Sequence, residues 1–193
     1  MHSPAPHEAR SVEQLRLSAD TDTRYVLFWD HEPLPGGEPG PPCLSQWWPA
    51  AFEVDDVTFA SAEHHMMWGK ARVFGDEASA EQVLAARTPR AAKAIGRGVA
   101  GFDSATWREH RWDVVVDASV GKFGSDADLR GYLDGTGDAV LVEASPDDRI
   151  WGTGLAAEHP DARVPARWPG LNLLGFALME ARSRLRSRNP GDA

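Results

Sequence analysis

Residues 61–74 read Ser-Ala-Glu-His-His-Met-Met-Trp-Gly-Lys-Ala-Arg-Val-Phe, followed by Gly75. A serine at the head of such a run is a helix N-cap type, because its hydroxyl accepts a first-turn N–H, and the glycine supplies a stop. The spacing predicts a helix from Ser61 to about Phe74. At about 100° per residue, Glu63, Met67, Lys70 and Phe74 share one stripe, flanked by Met66 and Val73. A carboxylate and an amine therefore lie two turns apart on the side that Met and Phe would bury. Burying charge is costly unless the charge is paired or used, so one reading is a functional pair. The plain alternative is a snorkelling lysine and a first-turn glutamate favoured by the helix dipole. His64 and His65 point in different directions on such a helix, and neither has the partner that an HExxH zinc site needs.

Upstream, Tyr25 to Trp29 reads as a buried strand, Pro33 to Pro42 as a proline- and glycine-rich loop, and Phe52–Val54, Asp55-Asp56, Val57–Phe59 as a tight hairpin. Downstream the signals are mostly helical. Ser79 with Gln82 forms a capping-box pattern, Thr88-Pro89 a cap and first-turn proline ending near Gly96 and Gly98, Asp103 or Ser104 a start running through Val116, and Ser125 a start running through Leu133. Ala139 to Val142 is a short strand candidate, Glu143 to Pro169 mainly loop, and Asn172 to Arg186 a last amphipathic helix. The expectation is one predominantly α-helical α+β domain over residues 24–186, with a flexible N-terminal arm at 1–23, where Ser11 and Gln14 can cap a short helix, and a tail at 187–193.

Of the 193 residues, 42% are apolar and 25% charged, which fits a folded domain rather than a disordered chain. Cys43 is the lone cysteine, so an internal disulfide and a multi-cysteine zinc site are excluded. No apolar run nears the roughly 20 residues of a membrane span, and no charged-then-apolar leader opens the chain, so a cytoplasmic protein without membrane attachment is expected. The net charge is −9, from 29 acidic and 20 basic residues, whereas a phosphate-gripping protein normally carries a basic stripe. The dense basic stretch is Arg182, Arg184, Arg186 and Arg188, which reads as the solvated end of a helix. Eight tryptophans are unusual; indoles fill cores but also stack on bases and sugars.

Gly96-Arg97-Gly98 with Gly101 matches GxGxxG formally but lies between helices rather than after a strand, so it is no dinucleotide fingerprint. Glu143 to Gly152 sets carboxylates, a guanidinium and an indole in a loop after a strand, a common seat of binding and catalysis. The plain alternative is a turn capped by aspartate beside a buried tryptophan. Trp107 reads equally as the core face of its helix, with Arg111 and Val114.

Several separated segments, in order, resemble the NADAR (YbiA-like) family: Leu44-Ser45-Gln46-Trp47-Trp48-Pro49, Ala62 to Met67, Lys70-Ala71-Arg72-Val73-Phe74-Gly75-Asp76, Gly101-Phe102-Asp103 with Trp107 and Arg111, Lys122-Phe123, Leu141 to Pro146 with Asp148 and Trp151 to Leu155, and Asn172 to Gly175 with Ala177-Leu178-Met179. The resemblance spans about residues 25 to 182. It implies a mainly helical fold and hydrolysis of N-glycosidic bonds to ribose. One branch of the family cleaves ribosylamino-pyrimidine intermediates of riboflavin synthesis; another removes ADP-ribose from guanine modified by partner toxins.

The family's catalytic glutamate, tryptophan and aspartate match Glu63, Trp107 and Asp148, and Lys70, Lys122, Trp151 and Asn172 fall on recurring positions. Catalysis is thus expected from Glu63, Asp148, Trp107 and Lys70, and substrate binding from Trp47, His64, Arg72, Arg97, Arg111, Lys122, Trp151, Gly152 and Asn172. Guanidinium forks at Arg72, Arg97 and Arg111 suit phosphate oxygens. Glu63 would serve as acid/base and Asp148 would position ribose or water. A ring-opened route would instead use Lys70 as an amine nucleophile through a Schiff base. No metal or organic cofactor is required.

The Met-Met and Lys-Ala-Arg-x-Phe-Gly-Asp pattern is similar to the guanine branch, which implies ADP-ribosylated guanine, in DNA or as a nucleotide, as substrate, ADP-ribose as product and pairing with a guanine ADP-ribosyltransferase toxin. The Pro33–Pro42 insertion and His65, where a tyrosine is frequent, depart from the family pattern and bear on substrate choice. The alternatives are the ribosylamino-pyrimidine phosphates and a non-catalytic module that binds ADP-ribose or NAD.

Overall fold

Ser11, Ser61, Asp76, Thr88 and Asp103 each accept the N–H three residues on with a side-chain oxygen, so five helices start where a short polar side chain satisfies an otherwise orphaned donor. In this computed structural model, which describes residues 4–32 and 34–188, the helices are α1 (Val12–Ser18), α2 (Ala62–Val73), α3 (Glu77–Ala85), α4 (Pro89–Arg97), α5 (Ser104–Gly124), α6 (Ala127–Gly135) and α7 (Leu173–Arg188). The strands are β1 (Tyr25–Phe28), β2 (Phe52–Val54), β3 (Val57–Phe59) and β4 (Val140–Glu143). The fold is mainly helical α+β, as expected. Among the described residues, no helix is long and apolar enough to cross a membrane.

The chain divides into two units, one from Gln46 to Ala127 and one formed by the residues up to Ser45 with those from Asp128 onward. In the Gln46–Ala127 unit, β2 and β3 form the expected hairpin, with Asp55 and Asp56 both at positive φ as its tight turn requires. Helix α2 packs against α3, α4 and α5. Gly69 makes the α2–α5 approach possible, since a Cβ there would lie 2.8 Å from Val114 Cγ1. Boundaries differ from the sequence reading at three places. Asp76 rather than Ser79 caps α3, because its carboxylate takes the Ser79 N–H, the Ser79 hydroxyl and the Ala100 N–H together. Helix α5 runs on to Gly124, past Val116, because its later turns bury Val115, Ala118 and Phe123. Ser125 therefore closes α5, and α6 begins at Ala127.

In the other unit β1 and β4 pair in parallel, from Tyr25 against Val140 to Phe28 against Glu143, and α7 covers β4. Residues 1–23 were expected as a loose arm. From residue 4 the structure instead packs this segment on its unit: Ala9 and Leu15 are buried, and Arg10 pairs with Glu180 of α7 at 2.7 Å. The solvated-end reading fails for Arg182. It is 2% exposed and donates to Thr136 Oγ1 at 2.6 Å and to Ala139 O at 3.0 Å, because the turn entering β4 aims those acceptors at α7. Arg184 pairs with Glu180, and Arg186 with Asp134 and Asp138. Of the expected tail, residues 189–193 lie outside the described residues.

Candidate functional site

Glu63 occupies the first turn of α2 and is 2% exposed; its N–H donates to Gln46 O at 3.0 Å. A carboxylate there gains from the helix N-terminus while losing most of its hydration, the setting in which acid/base carboxyls are found. Two turns on, Lys70 donates to Gly96 O at 2.6 Å, at the end of α4, and its ammonium lies 4.1 Å from the centre of the Phe102 ring. Burial pulls its pKa below the ordinary lysine range. The stripe read from the sequence is therefore real: Glu63, Met67 and Lys70 line one side of α2, and Lys70 is partly buried rather than snorkelling freely.

On α5, Trp107 is half-buried and Arg111 follows one turn later, also partly buried. Burial, then the neighbouring Arg108, lowers the Arg111 pKa. Among the described residues Arg111 makes no hydrogen bond or ion pair, so a partly desolvated guanidinium stands uncommitted beside an indole. Further along α5, Lys122 is 1% exposed. Trp47 is half-buried with Lys93 and Arg90 of α4 at 5.6 and 6.0 Å from its ring. Arg97 is exposed on α4, one residue beyond the carbonyl that holds Lys70.

Two expected ligand contacts in this unit are committed elsewhere. The ring of His64 is saturated, with Nδ1 2.7 Å from Ser61 Oγ and Nε2 3.1 Å from Ala86 O. It braces the start of α2 against the end of α3 and has no nitrogen left for a ligand. Arg72 grips both carboxylate oxygens of Glu77 and stacks on Trp68, because the Gly75 turn brings the first turn of α3 alongside. His65 is buried among Phe59, Phe52 and Trp68, its nearest ring centre, that of Phe59, lying 4.7 Å away. Its Nδ1 has no hydrogen-bond partner, and burial drives its pKa down to about 4, opposed by Asp55.

In the other unit the loop after β4 carries Asp148, Trp151 and Gly152. Asp148 Oδ1 accepts the N–H groups of Ile150 and Trp151, both at 2.8 Å, so the aspartate-capped turn is present. Its Oδ2 makes no hydrogen bond among the described residues and stays available. Trp151 is half-buried, and its carbonyl accepts the Leu174 N–H in the first turn of α7. Gly152 is obligatory, since a Cβ would meet Glu143 O at 2.9 Å and Asp148 O at 3.0 Å.

Asn172 does not fit the ligand role expected of it. It is 0% exposed, takes a φ of 51°, accepts the Glu143 N–H and donates to Leu141 O, each at 2.9 Å. Its amide completes the edge of β4 that β1 leaves unpaired. A cavity of about 280 Å³ in this unit is lined by His7, Arg10, Phe176, Glu180 and Arg182 among others, and by none of the expected site residues. No group of three His, Cys, Asp or Glu able to hold a metal occurs among the described residues.

The sequence reading missed Phe102, which faces the Lys70 ammonium although it is itself 46% exposed. The signal was an aromatic with little core to enter, between a glycine and a helix cap. It also missed the Gln46 carbonyl that anchors Glu63.

The NADAR domain family matches residues 27–186. The chain is 36% identical over 168 residues to the N-glycosidase R617 of Acanthamoeba polyphaga mimivirus, covering 84% of this chain and 96% of that protein. It is 33% identical over 145 residues to the N-glycosidase Npun_R5314 of Nostoc punctiforme, covering 75% and 86%, and 31% identical over 138 residues to the N-glycosidase YbiA of Escherichia coli, covering 72% and 76%. The NMR structure of Escherichia coli YbiA superposes with a TM-score of 0.68 at 24% identity, over 97% of each chain, which shows a shared fold.

Proposed function

This chain belongs to the NADAR family, and on that premise we propose that it is an N-glycosidase that removes ADP-ribose from ADP-ribosylated guanine. The observation that carries the reading is Glu63, a carboxyl 2% exposed at the head of a helix whose same side presents Lys70. Cleaving an N-riboside builds positive charge at the anomeric carbon while the departing nitrogen needs a proton. A buried carboxyl meets both needs, donating a proton to the leaving nitrogen and then, as carboxylate, activating water. Asp148, with Oδ2 uncommitted, is suited to hold a ribose hydroxyl or the water. Trp107 and Trp151 offer faces for base or sugar, and Arg111 offers a guanidinium free to take a phosphate of the pyrophosphate. His64 and Asn172 drop out of the binding set because their polar atoms are already spent, whereas Arg72 meets Glu77 through one guanidinium nitrogen and keeps the others.

The lowered pKa of Lys70 favours a second route to the same products. A ring-opened substrate presents C1 as an imine to the guanine nitrogen. The neutral amine of Lys70 adds to C1, the C1–guanine bond breaks with the proton going to guanine, and water then replaces Nζ on C1.

The test is mass spectrometry of the full chain acting on a guanine-ADP-ribosylated oligonucleotide, with borohydride added to a parallel sample. Free ADP-ribose with regenerated guanine is the expected outcome, and a reduced sugar adduct on Lys70 would assign the second route. No ADP-ribose from folded protein, with turnover of a ribosylamino-pyrimidine phosphate instead, would overturn the substrate. Tight ADP-ribose binding without turnover of either substrate would make the chain a recognition module.

A further inference from the structure

Between Glu81 and Asp103 the chain carries no acidic residue but holds Arg87, Arg90, Lys93 and Arg97, inside a protein whose net charge is −9. The segment is α4 and its lead-in. On a helix of 3.6 residues per turn, Arg90, Lys93 and Arg97 fall within an arc of about 60°, and Arg87 precedes them at the helix entry. Arg87, Arg90 and Arg97 are exposed and Lys93 is half-exposed. None of the four forms an ion pair or a side-chain hydrogen bond among the described residues. Elsewhere Arg10, Arg72, Arg130, Arg167, Arg184 and Arg186 each hold a carboxylate. An acidic protein has carboxylates to spare, so a helix face kept clear of them is set up for an external anion. Trp47 sits against this face, with Lys93 and Arg90 at 5.6 and 6.0 Å from its ring.

We propose that Arg87, Arg90, Lys93 and Arg97, with Trp47, form a track for the phosphate backbone of a single nucleic acid strand. The proposal rests on the reading that the modified guanine is carried by a nucleic acid. Arg90 to Arg97 spans about 10 Å along the helix axis, room for roughly three nucleotide steps of about 3.4 Å. An indole flanked by cations is the usual partner of an unstacked base in sequence-tolerant strand binding. A membrane surface would call for large apolar side chains exposed among the cations, and α4 exposes none. The track also ends next to the carbonyl that holds Lys70, so a strand lying on it is delivered to the α2 site. The overall negative charge then confines contact to this stripe instead of spreading it over the surface.

The experiment is fluorescence anisotropy of the full chain with an unmodified single-stranded 20-mer DNA across a salt series, comparing native protein, Arg90→Gln/Lys93→Gln and Arg184→Gln. The native chain is expected to bind with a steep salt dependence. The double variant should flatten the log–log slope by about 1.4, from about 0.7 per lost phosphate contact. Arg184→Gln, whose native guanidinium is taken by Glu180, should leave the slope unchanged. Absence of binding at low salt, equal slopes for native and double variant, or equal competition by polyglutamate each overturns the proposal. Release of ADP-ribose from a free ADP-ribosylated guanosine nucleotide should be the same in native protein and double variant. If the glycosidase reading alone fails, the DNA slopes persist without product.

Discussion

Helices α2 and α7 both bury charge, and they handle it in opposite ways. On α7, Arg182 is enclosed and its guanidinium is met by the Thr136 hydroxyl and the Ala139 carbonyl, which bond both terminal nitrogens. Even so, burial and then Arg186 lower its pKa to about 10. On α2, Lys70 has one carbonyl and a ring face, and Glu63 is sunk into the first turn where a helix dipole favours an anion. A buried charge met on several atoms by its own fold holds structure; Lys70, partly buried and met by one carbonyl and a ring face, is poised to exchange a proton or meet a ligand. Sequence density points the wrong way here. In the arginine run near the C-terminus, the densest basic stretch, Arg182, Arg184 and Arg186 are all engaged, whereas the sparser cations of α4 hold no carboxylate among the described residues.

The largest effect that would sharpen the contrast is kinetic. Glu63→Gln keeps the shape but removes the proton, and turnover measured by ADP-ribose release should fall by about 10²–10⁴-fold, the usual contribution of a positioned acid/base. Next, Arg182→Met should cost about 4 kcal/mol in denaturant unfolding, since it strands buried acceptors and loses stem packing. Turnover of the protein that remains folded should not change; lost turnover with intact stability would erase the distinction.

The third effect depends on pH. His65 has a folded pKa of about 4, below its ordinary value of about 6.5. The unfolded chain therefore binds a proton that the folded chain refuses. Stability is complete above about pH 6.5 and falls as pH drops towards 4, by about 3 kcal/mol in all. His65→Phe should remove that slope in unfolding curves recorded between pH 4 and pH 7. An unchanged slope would mean that another group titrates.

Much of the scaffold was legible because it is local. Caps at Ser61, Thr88 and Asp103, the Asp55-Asp56 turn and the Gly75 stop are decided by three or four consecutive residues, and all are where the sequence puts them. The Glu63–Lys70 stripe was legible for the same reason, since helical periodicity alone aligns those positions. What escaped depends on partners far along the chain. Arg182 reads as solvated until the acceptors 43 and 46 residues away are known. Asn172 reads as a ligand contact until β4, about 30 residues upstream, is seen to need an edge partner. His64 likewise looks available until Ala86 O takes its second nitrogen.

The most direct test of a chemical role for the charge on α2 is the denaturation midpoint of Glu63→Gln, measured on the preparation whose turnover is lost. A carboxylate kept for chemistry at the expense of burial should give a midpoint unchanged or raised when neutralised. A fall comparable to that of Arg182→Met would contradict the account and make Glu63 another structural charge.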